Sequence, residues 1–357
     1  MKVLIDFAHS DLWESLALLF EDRFGWTLYR PIGMEWHTER IWQFEAKTMG
    51  DTVARQFLEP WASDRQLADH SERDDETHPG RVYRMVTLAQ AYDLRPDIVI
   101  STLAENETGL HGFARAVGAK YGIQIGNQGA ENQWGLVDFA LSSVTLPQLP
   151  GGKPWVPHVF YRQEFSLADF RYEYPPTTDV IACRVQCFAG TPDYARFTRL
   201  SGLSGLTFRW FGHCGEPDNL WGGNAHTTAE VAASMRASRV AYHVKRWSDG
   251  YGHVIHNWFA VGRPVIGSSS YYSGESDGIV KLAAPLFVEG ETSFDLDKLD
   301  DAGAVALLQR LATDDELHQR ISENAARRFR EVVDFDAEAA AIRTMLDSIL
   351  SDRRVAA

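Results

Sequence analysis

Cysteine is scarce in this sequence, with three residues in a chain of 357. Three cysteines cannot supply the disulfide framework of a small secreted domain. Cys183 and Cys187 fall on a predicted strand, where their spacing separates the sulfurs by about 13 Å and prevents a bridge or a shared metal. Cys214 follows His213, and neither has further ligand-type neighbours at the spacing of a zinc site. The sequence therefore predicts a reducing, cytoplasmic location and no metal.

Long apolar runs are also missing, so no segment is expected to span a membrane and no membrane partner is expected. Lys2 leads straight into a short apolar strand, which is not the pattern of a secretory signal peptide. A chain of this length can form one large domain or two ordinary domains, each with its own core.

Positive charge is in short supply as well. The chain has 35 Lys and Arg against 49 Asp and Glu, a formal net charge of −14. This balance argues against non-specific binding of nucleic acid, whose phosphates need basic side chains, but it is compatible with a local basic groove. The pattern Gly-x-Gly-x-x-Gly does not follow the first strand, so an oxidoreductase with a bound dinucleotide is not expected. No cofactor is predicted.

What is present is a repeated order of strand, loop and helix. In the first half, strands are predicted at 2–7, 27–31, 95–101, 121–126 and 138–143, with helices at 12–25, 84–93 and 110–117. This order predicts an open parallel α/β sheet of five or six strands, whose ligands lie beyond the carboxyl ends of the strands. An irregular aromatic insertion at 35–80 is expected to form part of the side of the ligand site that binds a second substrate, the acceptor. Its acidic stretch 71–76 is interpreted as a solvated loop.

A Pro- and Gly-rich segment at 146–157 precedes a second α/β unit, which begins at Asp179. A helix is predicted at 228–235 after a Thr227 cap, and 307–350 has helical periodicity. Strands of this unit are predicted at 180–188, 206–212, 239–244, 264–266 and, as the last, 286–288.

The segment 248–266 joins two of these strands through a glycine-containing turn and a helix. Apolar residues from Val254 to Phe259 recur at helical spacing, and Gly262 followed by Pro264 is a usual helix end. Such a turn leaves backbone N–H groups unpaired at the helix start, with the positive end of the helix dipole behind them. The sequence therefore predicts a site for a phosphate or another anion here.

The same segment resembles a known family. It reads Asp249-Gly250-Tyr251-Gly252, four residues, Asn257, and then Gly-Arg-Pro-Val-Ile at 262–266. This is similar to the motif Glu-Gly-Phe-Gly, four residues, Glu, a small residue, Gly and Pro-Val-Ile of the retaining, group 1 glycosyltransferases typified by glycogen and sucrose synthases. Residues 311–317 and 323–325 and Phe335 are similar to the C-terminal helices of that family. The resemblance covers about 240–350, and the first half is similar in architecture only.

The resemblance implies the GT-B fold, an α/β architecture of two Rossmann-like domains facing a central cleft, with a helical C-terminal tail crossing back. The implied parts are an acceptor domain at 1–155, a linker at 156–178, a nucleotide-sugar domain at 179–335, and a helix at 336–357 that packs back on the first domain. A nucleotide-sugar is then a co-substrate, with a UDP-sugar favoured.

The resemblance also implies roles for single residues. Asp249 would approach the sugar hydroxyls, Asn257 would contact the ribose, and the backbone N–H groups of Gly250, Tyr251 and Gly252 would surround the diphosphate. Asp is one methylene shorter than Glu, and Asn lacks its charge, so neither the donor nor a retaining stereochemistry follows from the motif.

Further donor contacts are predicted around this turn. Lys245 and Arg246, at the exit of the preceding strand, can neutralise a leaving diphosphate without a metal, and Arg184 can serve the same purpose. His253 is expected near the diphosphate or sugar, and Ser269 lies in a hydroxyl-rich loop. The alternatives are solvated charges at strand ends, a packed histidine and a flexible loop.

Catalytic candidates lie in the first half. His9 and Asp11 occupy the first strand-to-helix loop, the position of a catalytic His and a nearby Asp in inverting plant-type glycosyltransferases. A histidine of ordinary pKa can accept a hydroxyl proton at neutral pH, although His9 and Asp11 could instead cap the next helix. Glu105 is a second candidate, with charge complementation of a helix start as its alternative.

The sequence thus predicts a hexosyl- or pentosyltransferase that acts on a hydroxyl acceptor, as a monomer or homodimer. The first-half pattern around His9 and at 28–33 is weakly similar to phage glycosyltransferases. One hypothetical acceptor is therefore a hydroxymethylated base in phage DNA, reached by base flipping in the host cytoplasm. The alternatives are an inactive GT-B-like nucleotide-sugar binding protein and a UDP-sugar epimerase-like enzyme.

Overall fold

The computed structural model describes residues 1–5, 10–31, 72–74, 80–102, 107–125, 137–146, 156–174, 178–185, 192–212, 218–225, 227–244, 251–276 and 278–355. The chain divides into two compact units, Met1–Glu164 with Phe335–Ala357, and Phe165–Asp334. The junction between Glu164 and Phe165 falls inside the predicted linker, 156–178. No helix among the described residues is long and apolar enough to cross a membrane.

The first unit is built on one sheet, with eight strands in the described part of the chain. Its order is β3-β4-β2-β1-β5-β6-β7-β8, and each neighbouring pair is parallel except the antiparallel pair β3–β4. The strands are β1 (Lys2–Ile5), β2 (Thr27–Pro31), β3 (Glu72–Asp74), β4 (Val82–Val86), β5 (Ile98–Ser101), β6 (Lys120–Ile125), β7 (Phe139–Ser142) and β8 (His158–Phe160).

Helices cover both faces of this sheet. They are α1 (Ser10–Ala17), continued by a π-helical turn (Leu18–Arg23), then α2 (Leu88–Leu94), α3 (Glu107–Val117) and the C-terminal helix (Phe335–Val355). Val3 and Ile100 pack with α1 and the C-terminal helix, whereas Leu4 and Val99 pack with α2 and α3. Successive strand residues point to opposite faces, so buried runs such as Ile98–Ser101 give a core on each side.

Two sequence predictions for this unit are wrong. The helix predicted at 84–93 begins only at Leu88, because Val82–Val86 forms β4 and Thr87 starts the helix with a capping box. The acidic stretch interpreted as a loop contains β3, which pairs with β4 at the edge of the sheet. Charged side chains suit an edge strand because they discourage further strands from pairing. Together with β8, which was not predicted either, β3 and β4 bring the five strands listed from the sequence to eight in the described residues.

The second unit contains a parallel sheet of five strands in the described residues, in the order β10-β9-β11-β12-β13. The strands are β9 (Ala182–Val185), β10 (Phe208–Phe211), β11 (Val240–His243), β12 (Val265–Gly267) and β13 (Ser293–Asp295). The helices are α4 (Pro192–Ser204), α5 (Thr228–Arg236), α6 (His253–Ala260), α7 (Ser269–Tyr272), α8 (Asp301–Thr313) and α9 (Asp315–Val332). The Thr227 cap of α5 is confirmed, since its side chain accepts from the Glu230 amide.

The last strand is not at 286–288, as the sequence predicted, but at Ser293–Asp295, beside β12. Ala284–Leu286 is a 3₁₀ turn that contains Pro285, whose fixed φ favours a turn. Thr292 then closes a loop, because its hydroxyl donates to the Leu286 carbonyl at 2.8 Å and accepts the Val288 N–H at 2.9 Å. The apolar run reflects side-chain packing, since Phe287 stacks on Tyr272.

His318, in α9, makes the stability of this unit depend on pH. Its ring is fully buried, Nε2 donates to the Arg239 carbonyl at 2.7 Å, and the ring stacks on Tyr174. Burial lowers the pKa of His318 from 6.5 to about 4. Below pH 6.5 the unfolded chain therefore binds a proton that the folded chain rejects, so stability falls as the pH drops toward 4.

We expect replacement of His318 by Phe to remove this pH-dependent part. The part amounts to about 2 kcal/mol of the free energy of unfolding between pH 7 and pH 4.5. Urea unfolding of both proteins at these two pH values measures it, because all other titrating groups are shared. An equal loss of stability in the two proteins would contradict the assignment.

Candidate functional site

The predicted anion site lies where the chain crosses from β11 to β12. These strands are parallel neighbours, with Ala241 opposite Val265 and His243 opposite Gly267. The crossover helix α6 follows Gly252, whose backbone is left-handed with φ +71° and ψ +53°. The first three amides of any helix lack partners within it. In α6 these amides precede the first intrahelical bond, from the His256 N–H to the Gly252 carbonyl at 3.0 Å.

Aromatic side chains surround this turn. Tyr251 is 3% exposed and stacks on His256, with ring centroids 4.3 Å apart and planes 17° from parallel. On another side, a Cβ built on Gly252 would lie 3.1 Å from Cε1 of Tyr272, which is fully buried. The left-handed φ and this close approach both favour glycine at the start of α6.

The other end of α6 is held by a buried cation. Gly262 has φ +67°, and a Cβ there would lie 2.4 Å from Cδ2 of Tyr172. Arg263 is fully buried, and burial lowers its pKa to about 10, so it is charged at neutral pH. Its guanidinium donates to the backbone carbonyls of Glu173, Arg236, Ser238, Val261 and Gly262, at 2.8 to 3.2 Å. A cation suits this place because α5 and α6 both end there.

The loop after β12 is tied to β13 through Asp295. This buried carboxylate accepts hydrogen bonds from the hydroxyls of Ser269 and Ser270, and Lys298 Nζ lies 3.4 Å from it. Burial by itself would raise the pKa of Asp295, but the hydrogen bonds from Ser270, the Asp297 amide and Ser269, together with Lys298, bring the pKa below its ordinary value. The carboxylate is therefore ionised at neutral pH and anchors α7.

The structure brings five of the predicted donor residues together in this crossover and the loop after it: Tyr251, Gly252, His253, Asn257 and Ser269. The His253 ring contacts those of Tyr251 and Phe165. Asn257 is 2% exposed, and its Oδ1 has no hydrogen-bond partner in the part of the chain that the structure describes. The hydroxyl of Ser269 is engaged by Asp295.

For the other predicted residues the structure describes the backbone only or nothing. Asp11 lies in α1 and Arg184 in β9, where the structure describes the backbone. The predictions at His9, Glu105, Lys245, Arg246, Asp249 and Gly250 fall outside the described residues. Within the described residues, no three His, Cys, Asp or Glu side chains are placed to hold a metal ion.

Sequence reasoning assigned no role to three residues that shape the site: His256, Arg263 and Asp295. A signal existed for Arg263, because a basic residue directly after a helix-ending glycine can bind the last carbonyls. A weaker signal existed for His256, four residues after Gly252 and thus one helical turn above it. Asp295 had no local signal, since its partners Ser269 and Ser270 lie 25 residues or more away in the sequence.

Known proteins share this architecture rather than this sequence. No protein-family model matches the chain, and no curated protein matches its sequence. The solved structure of HepE from Anabaena, in complex with UDP and glucose, matches with a TM-score of 0.65 at 10% identity over 98% of this chain and 100% of that one.

Sucrose-phosphate synthase from Thermosynechococcus elongatus matches with a TM-score of 0.61 at 10% identity, over 99% of this chain and 100% of that one. A glycosyltransferase from Rickettsia africae matches with a TM-score of 0.60 at 10% identity, over 98% of each chain. The chain has the GT-B fold. The predicted GT-B architecture of two parallel-sheet α/β units with C-terminal helices is therefore confirmed. At 10% identity, the likeness to these structures is a likeness of fold alone.

Proposed function

We propose that this GT-B protein is a glycosyltransferase that moves a sugar from a nucleotide-diphosphate donor, with a UDP-sugar as first choice, to a hydroxyl acceptor. The observation that carries the proposal is the left-handed turn at Gly252, which opens α6 between two parallel strands. A helix start of this kind binds phosphate through backbone N–H groups and the helix dipole. UDP complexes of the structurally similar HepE support UDP as the nucleotide.

The buried amide of Asn257 also supports the proposal. A buried carbonyl oxygen without a hydrogen-bond donor costs free energy, which a ligand hydroxyl can offset by donating to it. The Oδ1 atom of Asn257 is in this state within the described part of the chain. A ribose hydroxyl is the matching donor, as the family resemblance implies for this position.

In the proposed reaction, the bond between the anomeric carbon and the diphosphate oxygen breaks, and the electron pair leaves with UDP. The backbone N–H groups of the turn, together with Lys245, Arg246 and Arg184, stabilise the charge that develops on the diphosphate. Asp249 positions the sugar hydroxyls. The acceptor oxygen bonds to the anomeric carbon, and its proton passes to a base, for which His9 and Asp11 are the first choices and Glu105 the second.

Calorimetry with UDP, GDP and ADP tests the donor site directly. UDP is expected to bind, and the absence of binding by every nucleoside diphosphate would contradict the proposal. Mass spectrometry then follows UDP-glucose with small hydroxyl acceptors and with hydroxymethylcytosine DNA. UDP binding without transfer, hydrolysis or epimerisation would favour a binding protein, and a new UDP-sugar without an acceptor would favour an epimerase-like enzyme.

Replacement of Asp249 by Asn is expected to lower kcat by about 100-fold, the cost of losing one group that contacts the reacting sugar. The affinity for UDP is expected to stay within about threefold, because UDP lacks that sugar. Initial rates with the active donor and acceptor, together with UDP calorimetry, give both quantities. An unchanged kcat would remove Asp249 from the proposed site.

A further inference from the structure

We infer that His256 is a positioning residue, which orients the backbone amides at the start of α6 toward the diphosphate. The inference rests on the proposed function and adds a residue to its donor site. His256 lies one helical turn after Gly252, so its side chain covers the turn that precedes its own Cα. Its ring is fully buried.

The His256 side chain makes a hydrogen bond to the turn before α6. Nδ1 of His256 lies 3.0 Å from the carbonyl oxygen of Gly252. A carbonyl only accepts, so the proton of this bond resides on Nδ1. The same oxygen accepts the backbone N–H of His256 at 3.0 Å. Two donors on one oxygen fix the direction of the Gly252 carbonyl.

The direction of that carbonyl matters because of the planar peptide bond. The Gly252 carbonyl and the His253 N–H belong to one trans peptide unit, in which C=O and N–H point in opposite directions. Because the carbonyl points into α6, the His253 N–H points out of the helix start, toward the position of the bound anion. A side chain that fixes the carbonyl therefore also aims the first amide of the helix.

The His256 ring also stacks on Tyr251, the residue before Gly252. Tyr251 lies nearly parallel to the His256 ring at 4.3 Å. The carbonyl of Tyr251 and the N–H of Gly252 form the preceding peptide unit, so a fixed Tyr251 restricts that unit as well. His256 thus contacts the Tyr251 ring before the Gly252 Cα and the Gly252 carbonyl after it. Gly252 has the widest choice of backbone angles in the turn, so these two contacts restrict the residue that most needs it.

Core packing alone does not explain a histidine at this position. The apolar face of α6 is already supplied by Ile255, Trp258 and Phe259, which are fully buried. Burying a polar imidazole costs free energy that an aliphatic side chain of similar size does not. His318 offers a comparison in the same unit, because it is also buried, stacked on a tyrosine and bonded to a backbone carbonyl. The carbonyl that His318 binds belongs to Arg239, which lies outside the turn before α6.

The test separates the hydrogen bond from the ring. His256→Phe keeps a flat ring for the stack but lacks the Nδ1 donor, whereas His256→Asn places an amide nitrogen where Nδ1 lies. His318→Phe is the matched control. Isothermal titration with UDP is carried out at 10 °C on each variant, and circular dichroism establishes that each is folded.

We expect His256→Phe to weaken UDP binding about tenfold, the scale of one lost charge-assisted N–H contact, and His256→Asn to stay within about threefold of the wild type. His318→Phe is expected to lower the melting temperature while its UDP affinity stays within about twofold. If Phe at 256 prevents folding, His256→Gln replaces it, since its amide reaches the place of Nε2 rather than Nδ1. The same tenfold loss is then expected.

Hydrogen exchange without nucleotide distinguishes the two possible failures. In His256→Phe, the amides of 253–255 are expected to exchange faster than in the wild type, with no such change in His318→Phe. If the wild type binds UDP and His256→Phe binds it equally well, the inference is overturned and the proposed function stands. If the wild type binds no nucleoside diphosphate, the proposed function fails. If the amides of 253–255 exchange in His256→Phe as slowly as in the wild type, His256 does not fix the turn, and this result alone overturns the inference.

Discussion

Replacing Arg263 by methionine is expected to lower the free energy of unfolding of the second unit by about 4 kcal/mol. The guanidinium is fully buried and donates to five backbone carbonyls. Methionine fills much of the same volume but donates nothing, so these carbonyls lose a charged partner away from water. Hydrogen bonds to charged groups are individually the stronger ones, and the loss of several together accounts for the size of the effect.

Urea unfolding at pH 7, followed by circular dichroism, measures this loss. Arg310→Met is the control, because that side chain is 66% exposed and pairs with Asp314 at 3.7 Å. Exposed pairs of this kind contribute about 0 to 1 kcal/mol. Arg263→Lys is expected to recover only a small part of the stability, since an ammonium offers three donors on one atom and cannot reach carbonyls on several sides. A loss below about 1 kcal/mol in Arg263→Met would contradict the argument.

Arg263 lies where several backbone segments of the second unit meet, so one side chain stabilises all of them. The carbonyls that it binds come from the ends of α5 and α6 and from Glu173, 90 residues earlier in the sequence. Helix ends carry partial negative charge, which a buried guanidinium compensates. The C-terminal end of α6 is thereby fixed, while Gly252 and its aromatic neighbours define the N-terminal end. A helix held at both ends keeps its first amides in one place, as preorganised anion binding requires.

Local patterns were sufficient for much of this architecture. The helical spacing from Val254 to Phe259 and the stop at Gly262 predicted α6, and the Thr227 cap predicted the start of α5, because caps and periodicity are properties of neighbouring residues. The same holds for the turn before α6, whose glycine has a left-handed backbone. The turn and the helix start were therefore accessible from the sequence, while their role as an anion site and the residues predicted on the acceptor side stay predictions.

Features that depend on distant partners were not accessible. The edge strand at Glu72–Asp74 exists because β4 pairs with it, and its acidic composition by itself is typical of a loop. Phe287 belongs to an apolar run that predicted a strand, yet the loop closed by Thr292 uses the backbone groups that a strand would need. Asp295 and Arg263 act through residues far away in the sequence. Single-sequence patterns describe propensity and periodicity, and tertiary contacts override them where they compete.

Replacing Gly252 by alanine is expected to weaken UDP binding about tenfold, because the new Cβ forces the turn of the proposed diphosphate site to move. At φ +71° an L-residue is less stable than glycine by about 1 kcal/mol. The new methyl group would also lie 3.1 Å from Cε1 of Tyr272 and 3.4 Å from Cβ of Ile255. Tyr272 is fully buried and stacked on Phe287, so the backbone of the turn has to give way rather than the ring.

Gly205→Ala is the control that separates the location of Gly252 at the start of α6 from the backbone strain that any alanine has at positive φ. Gly205 has φ +69°, follows α4 in the same unit, and a Cβ added there would have nothing within 4 Å. Both variants therefore share a backbone cost of about 1 kcal/mol in urea unfolding. Gly252→Ala is expected to lose more than Gly205→Ala, because its methyl group also meets Tyr272. Only Gly252→Ala is expected to lose UDP affinity in calorimetry. Equal UDP affinities in the two variants would show that the start of α6 does not hold the diphosphate, and the donor would then have to bind elsewhere in the fold.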